Sequence, residues 1–137
     1  MANPTKAQVA DLQGRALAVA VAVSGHQLVA DEPIEQGGAN IGPTPFDLLT
    51  ASLGACTAMT VRWYAGRQGW PLVHVNVEVS HRRVLRAGAA EPTHVFTKQV
   101  VIDAPALTDE QRARLHEVAE KCPVQRALTG EIEVETI

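Results

Sequence analysis

Several scarcities set the first limits on this 137-residue chain. It has two cysteines, Cys56 and Cys122, too few for the cross-linked scaffold of a small secreted protein. Thiols that survive unpaired point to a reducing compartment, and the cytoplasm is the expectation. No apolar run is long enough to span a bilayer, and the opening MANPTKAQVADLQ has no charged and then apolar leader, so neither secretion nor a membrane partner is expected. Lys and Arg number 12 against 15 Asp and Glu, a net charge of −3, and the basic residues are scattered. Such a surface has no footprint for phosphate backbones, so no nucleic-acid partner is expected. The histidines His26, His74, His81, His94 and His116 show no CxxC, HxxxH or similar ligand spacing, so neither a metal nor another cofactor is announced.

Apolar residues are plentiful, at 46%. That suffices for the core of one globular domain over 1–137, or of one intertwined unit of a small oligomer. RALAVAVAVSG and HQLVADEP flank Ser24-Gly25 and predict a hairpin, the first stretch alternating Ala with Val and Leu so that both faces can be covered. IEQGGANIGPTP must be a loop, because glycine frees the backbone and proline removes donors and fixes φ. It feeds a long helix, with Thr44 as N-cap, Pro45 in the first turn and Asp47 suited to the positive end of the dipole. From Phe46 to Val61 the only charge is Asp47, so burial nearly all round is predicted. A chain this short has few elements with which to surround such a helix, so a second subunit is expected to cover part of it.

After Pro71, Val75, Val77 and Val79 alternate with Asn76, Glu78 and Ser80, predicting a strand with one wet face from Val73. RAGAAEPTH is a turn, and HVFTKQVVIDAP is its partner strand, ending at Pro105. Thr108 to Gln111 read as a capping box for a helix over Asp109–Lys121, with Leu115, Val118 and Ala119 as its apolar stripe. Pro123 stops that helix at Cys122 and opens a short new turn that ends at Gly130. The tail EIEVETI alternates cleanly and predicts a final half-exposed strand. The fold class is α+β.

Taken alone, Cys56 reads first as a small buried core residue. Two features argue otherwise. Gly54 costs its helix roughly 1 kcal/mol relative to alanine and permits close approach by a backbone or substrate, and Ser52, Thr57 and Thr60 place hydroxyls within about a turn of the sulfur. Cys122 stands at a helix N-terminus beside Lys121, and both influences favour the thiolate; it can equally be a passive cap between two helices.

The run GGANIGPTPFDLLTASLGACTAMTVRWYA, joined much later by AEKCPVQRAL, resembles the OsmC/Ohr family of osmotically inducible and organic-hydroperoxide-resistance proteins. The order of elements from Gly37 onward is similar too. The resemblance implies an intertwined homodimer, with long helices sandwiched by antiparallel sheets and active sites at the subunit interface. It implies that Cys56 attacks an organic hydroperoxide and becomes a sulfenic acid, that Cys122 resolves it as an intramolecular disulfide, and that a dithiol reductant, lipoyl-type in some members, restores the pair. The residue types suit that chemistry. Leu49, Leu53, Met59 and Trp63 are candidate walls for an apolar substrate, and equally ordinary core. The hydroperoxide-resistance branch has a glutamate after its helix-start proline, where this chain has Phe46; neither Asp47 nor Arg15 is fixed by a motif as a substitute for that branch's helper residues. The competing readings are an OsmC-like protein that binds an apolar ligand or partner with little or no peroxidase activity, and a structural dimer with passive thiols.

Overall fold

The computed structural model describes residues 3–137. The chain divides into two compact units, Met1–Leu49 and Thr50–Ile137.

The first unit holds a three-stranded antiparallel sheet in the order β1 (Ala7–Asp11), β2 (Val19–Val23) and β3 (His26–Ala30). The expected hairpin joins β2 to β3 through Ser24 and Gly25, at φ of 51° and 81°. Two consecutive left-handed residues give the turn whose twist matches that of the strands it connects. In β2 the valines are half-buried and Ala20 and Ala22 exposed, so the Val/Ala alternation marks one covered face within the unit rather than two. Strand β1 was not expected: AQVAD is exposed along its whole length, and an unburied strand leaves no two-residue hydrophobic period to read.

The glycine- and proline-rich loop is organised around Asp31, which is buried. Its carboxylate accepts hydrogen bonds from the backbone N–H groups of Glu32 (2.8 Å), Ala39 (3.0 Å) and Ile41 (3.2 Å). Gly38 and Gly42 are dictated by crowding: a Cβ would lie 1.9 Å from the Glu32 carbonyl oxygen at the first and 2.1 Å from that of Val29 at the second. Burial acts to raise the Asp31 pKa, but the three N–H donors and the charge of Arg15 outweigh it and hold the carboxyl below its ordinary value.

The loop delivers the chain into α1 (Pro45–Gln68), which runs from the first unit into the second. Thr44 Oγ1 accepts from the Asp47 N–H at 3.0 Å, and Asp47 Oδ2 accepts from the Thr44 N–H at 2.9 Å, so two donors at the helix start are satisfied reciprocally. The chain buries one stripe of α1: Leu53, Thr57, Val61 and Ala65, four residues apart, on a single helical face. Met59 is 71% and Trp63 63% exposed, so burial nearly all round is not achieved by the chain's own elements.

In the second unit, β4 (His74–Val84) and β5 (Thr93–Asp103) pair antiparallel along their full length, with Val77 opposite Val100 and Val79 opposite Lys98. α2 (Asp109–Ala119) begins with the expected capping box of Thr108 and Gln111, and buries Leu115, Val118 and Ala119. Leu115 and Ala119 pack with Val61, Ala65, Ala104 and Leu107, with Val75, Val100 and Ile102 against them. Full burial of a side chain such as Leu115 contributes about 1.5–3 kcal/mol. α3 (Pro123–Thr129) starts where Pro123 demands it and stops at Gly130.

The tail expectation fails. Residues 131–137 form no strand and are exposed, with Val134 at 89%. Glu/Ile alternation makes a segment competent to be a half-buried strand, but among the described residues β4 and β5 pair only with each other.

Candidate active site around Cys56 and Cys122

Three elements of the second unit converge on the two sulfurs. Cys56 lies in α1 and is half-buried; Cys122 is the N-cap of α3 and is fully buried. Both thiols are free. The successive N–H groups of Val124 and Gln125 face one sulfur each, and the Cys56 thiol favours the Cys122 thiolate, so residues far apart in the chain are brought near one another. Closing such a pair to a disulfide needs an approach to about 2.05 Å between sulfurs. Both atoms face the start of α3: the Val124 N–H points at Cys56 Sγ from 3.5 Å and the Gln125 N–H at Cys122 Sγ from 3.4 Å.

Thr57 supplies a further donor. Its Oγ1 lies 3.4 Å from Cys122 Sγ and 2.8 Å from the Leu53 carbonyl oxygen, and it receives an N–H from Lys98 Nζ at 3.1 Å. Lys98 also donates to the Ala119 carbonyl oxygen at 2.6 Å, at the C-terminal end of α2, where unpaired carbonyls and the helix dipole favour a cation. Burial acts to raise the Cys122 pKa. It nevertheless lies below the ordinary thiol value, because the Thr57 hydroxyl, the Gln125 N–H, the Cys56 thiol and the charge of Lys98 all favour the thiolate.

The sequence placed Cys122 at a helix start beside a lysine, and the helix start is there. The cation is a different one: Lys121 is exposed, and the charge acting on the sulfur belongs to Lys98. Lys98 was legible in principle, since it falls on the half-buried face of β5 in step with Phe96, Val100 and Ile102, where a lysine needs a reason. Of the hydroxyls expected near the thiols, Thr57 serves Cys122 rather than Cys56, and Thr60 donates to the Cys56 carbonyl oxygen at 2.7 Å. Gly54 does permit a close approach, by a side chain of the sheet: a Cβ there would stand 3.3 Å from Val79 Cγ2. Asp47 is engaged in capping α1, and the charge of Arg15 acts on Asp31. Of the candidate walls, Leu53 is buried and Leu49 half-buried, whereas Met59 and Trp63 are exposed.

The family model for OsmC-like proteins matches residues 37–137, which include both cysteines and every group around them. The chain belongs to the OsmC-like family. Solved structures share its fold at low sequence identity. An OsmC-like protein from Mycoplasma pneumoniae is 16% identical, with 95% of this chain and 90% of that one covered at a TM-score of 0.76. An organic hydroperoxide resistance protein from Legionella pneumophila is 22% identical, with 93% and 90% covered and a TM-score of 0.69. A protein of the same description from Elizabethkingia anophelis, with thiocyanate bound, is 21% identical, with 97% and 93% covered and a TM-score of 0.66. No curated protein sequence matches the chain. The OsmC-like chain thus shares a fold with proteins described as conferring hydroperoxide resistance, and its α+β class agrees with the sequence reading. Among its described residues no helix is long and apolar enough to cross a membrane.

Proposed function

We propose that this OsmC-like protein is a thiol-dependent peroxidase that reduces organic hydroperoxides through Cys56 and Cys122. The observation that carries the reading is the pairing of a half-buried thiol with a fully buried one that is rich in donors. Cys56 is the sulfur a substrate can reach. It attacks one peroxide oxygen, the O–O bond breaks, and the alkoxide leaves as an alcohol after taking the proton that Cys56 gives up. Cys122 then attacks the sulfenic sulfur, the S–O bond breaks, and the hydroxide leaves as water after gaining a proton. A dithiol, lipoyl-type or similar, reduces the resulting disulfide by exchange. Neighbours described as organic hydroperoxide resistance proteins support this substrate class.

The same reading includes one OsmC-like domain over 1–137, a cytoplasmic setting and a homodimer. Met59 and Trp63 support the last, because large apolar side chains so exposed on a helix with few charges suit cover by a second copy.

The test is consumption of cumene hydroperoxide by the pre-reduced protein with a dithiol reductant, beside Cys56→Ser and Cys122→Ser. Turnover should vanish in the first variant and stop after one sulfenic acid per chain in the second. Equal and negligible rates in all three proteins would overturn the peroxidase reading in favour of ligand or partner binding without thiol chemistry.

A further inference from the structure

We propose that Lys98 is a positioning residue for the second half of this reaction: held against Thr57 and the end of α2, it favours the thiolate form of Cys122 when that sulfur attacks Cys56. The proposal rests on the peroxidase reading for its kinetic consequence, but the ionisation it describes belongs to the reduced protein and needs no peroxide.

The argument begins with the proton inventory of Thr57. A hydroxyl has one hydrogen to give, and Thr57 Oγ1 has two acceptors in reach, the Leu53 carbonyl oxygen at 2.8 Å and Cys122 Sγ at 3.4 Å. Lys98 occupies an acceptor site of the same oxygen at 3.1 Å, so the hydroxyl hydrogen is left to point at one of the other two. A thiolate is a much stronger acceptor than a disulfide sulfur. When Cys122 is ionised the hydrogen therefore turns toward it, and after disulfide formation it returns to Leu53. No buried group is left unpaired in either state, so the change costs little.

Lys98 is held for this task at both ends of its reach. Its Cα sits opposite Val79 in the β4–β5 register, and its ammonium is fixed against the Ala119 carbonyl oxygen at 2.6 Å. The ion pairs among the described residues, Arg112–Asp109 and Arg114–Glu117, do not involve it. Its charge is consequently directed at Thr57 and Cys122 rather than neutralised by a carboxylate. The other titratable group against Cys122 is Cys56 on α1, while Glu120 and Lys121 at the end of α2 and Arg126 on α3 are exposed to solvent.

The step served is attack by Cys122 S⁻ on the sulfur of Cys56–SOH. An S–S bond forms, the S–O bond breaks, and hydroxide departs and is protonated to water. Only the thiolate is the nucleophile, so the rate rises with the ionised fraction of Cys122, partly offset by the lower intrinsic nucleophilicity of a more acidic thiol.

The experiment titrates the Cys122 thiolate by its ultraviolet absorbance in a Cys56→Ser background, in which Cys122 is the one remaining thiol. It compares native Lys98 with Lys98→Gln, Lys98→Arg and Thr57→Val, with circular dichroism as the check on folding. Lys98→Gln keeps donors toward Thr57 and Ala119 but removes the charge, and should raise the titration midpoint by about one pH unit; Thr57→Val should do the same, and Lys98→Arg should stay near the parent. In chains with both cysteines, disulfide closure at neutral pH after one equivalent of peroxide should slow about threefold in Lys98→Gln, because the loss of ionised fraction outweighs the gain in intrinsic nucleophilicity, and recover at higher pH. An unchanged midpoint in both Lys98→Gln and Thr57→Val, or a midpoint in Lys98→Arg shifted as far as in Lys98→Gln, overturns the proposal. Failure of cumene hydroperoxide turnover with the titration shifts intact would instead remove the peroxidase reading and leave the role of Lys98 in setting the thiolate standing. Thr57→Val is nearly isosteric and carries the test if Lys98→Gln loosens β5.

Discussion

Thr57 and Cys122, 65 positions apart, meet at 3.4 Å in the interior of the second unit, and neither side chain is accessible to solvent. The contact ties the middle of α1 to the junction of α2 and α3, and it makes a threonine inside a helix part of a thiol's environment. A threonine hydroxyl in a helix is ordinarily content with the carbonyl four residues back, and Thr57 has that option in Leu53.

Stability follows from the same contact. Thr57→Val keeps the shape but removes one of two acceptors of the half-buried Lys98 Nζ, which retains the Ala119 carbonyl oxygen, so the loss should be about 1 kcal/mol. Urea denaturation of the reduced protein should show a lower midpoint with an unchanged slope. An unaltered midpoint would mean that Lys98 finds water instead.

Gly54 sets how closely α1 approaches β4. A Cβ would stand 3.3 Å from Val79 Cγ2, tight but within what a small movement of that side chain relieves. A branched residue asks for more room, so Gly54→Val should cost about 1–3 kcal/mol through overpacking. Gly54→Ala should fall well short of that, since its helix propensity offsets the crowding. Pairing Gly54→Val with Val79→Ala should recover part of the loss, and a double-mutant cycle by chemical denaturation measures how much.

Much of this was readable from the residues, for identifiable reasons. Thr44, Pro45, Thr108, Gln111, Pro123 and Gly130 act on their own neighbours, so helix ends could be read locally. The alternation at Val75, Val77 and Val79 reports a sheet with one covered face. What could not be read locally depends on partners distant in sequence. β1 has no buried face to announce it, and EIEVETI has the pattern of a strand without a strand to pair with among the chain's own described elements. The cation beside Cys122 was sought in the adjacent Lys121, whereas the fold delivers it from β5, through a lysine whose place in an apolar row was its only sign.

Asp31 gives a pH signature with a definite sign. Its folded pKa lies below the ordinary 3.8, chiefly because three backbone N–H groups overcome the effect of burial, with Arg15 assisting. A carboxyl whose pKa is depressed on folding contributes stability that is fully present above the unfolded value and is lost as pH falls through the folded one. Asp31→Asn should therefore lower Tm at pH 6, and the gap to the native chain should close below about pH 4 as Asp31 takes up its proton. Melting curves from pH 6 to 2 measure it; a gap that stays constant to pH 2 would show that the carboxylate's charge is not what the loop uses.

The exposed face of α1 yields the last expectation. Met59 is 71% and Trp63 63% exposed, four positions apart and so on the same side of the helix. Two large apolar side chains with this exposure would be an aggregation liability in a lone chain and an ordinary interface in a homodimer. The Arg67 guanidinium lies 5.5 Å from the centre of the Trp63 ring, so a glutamate there would have a cation beside it, but it would still have to be desolvated at such an interface and would give up the indole's apolar contact, which weakens a dimer. Light scattering on the native chain should return the mass of a dimer, and on Trp63→Glu that of a monomer, with circular dichroism unchanged. A native chain that is monomeric at every accessible concentration would remove the homodimer from the reading and leave Met59 and Trp63 open to another occupant.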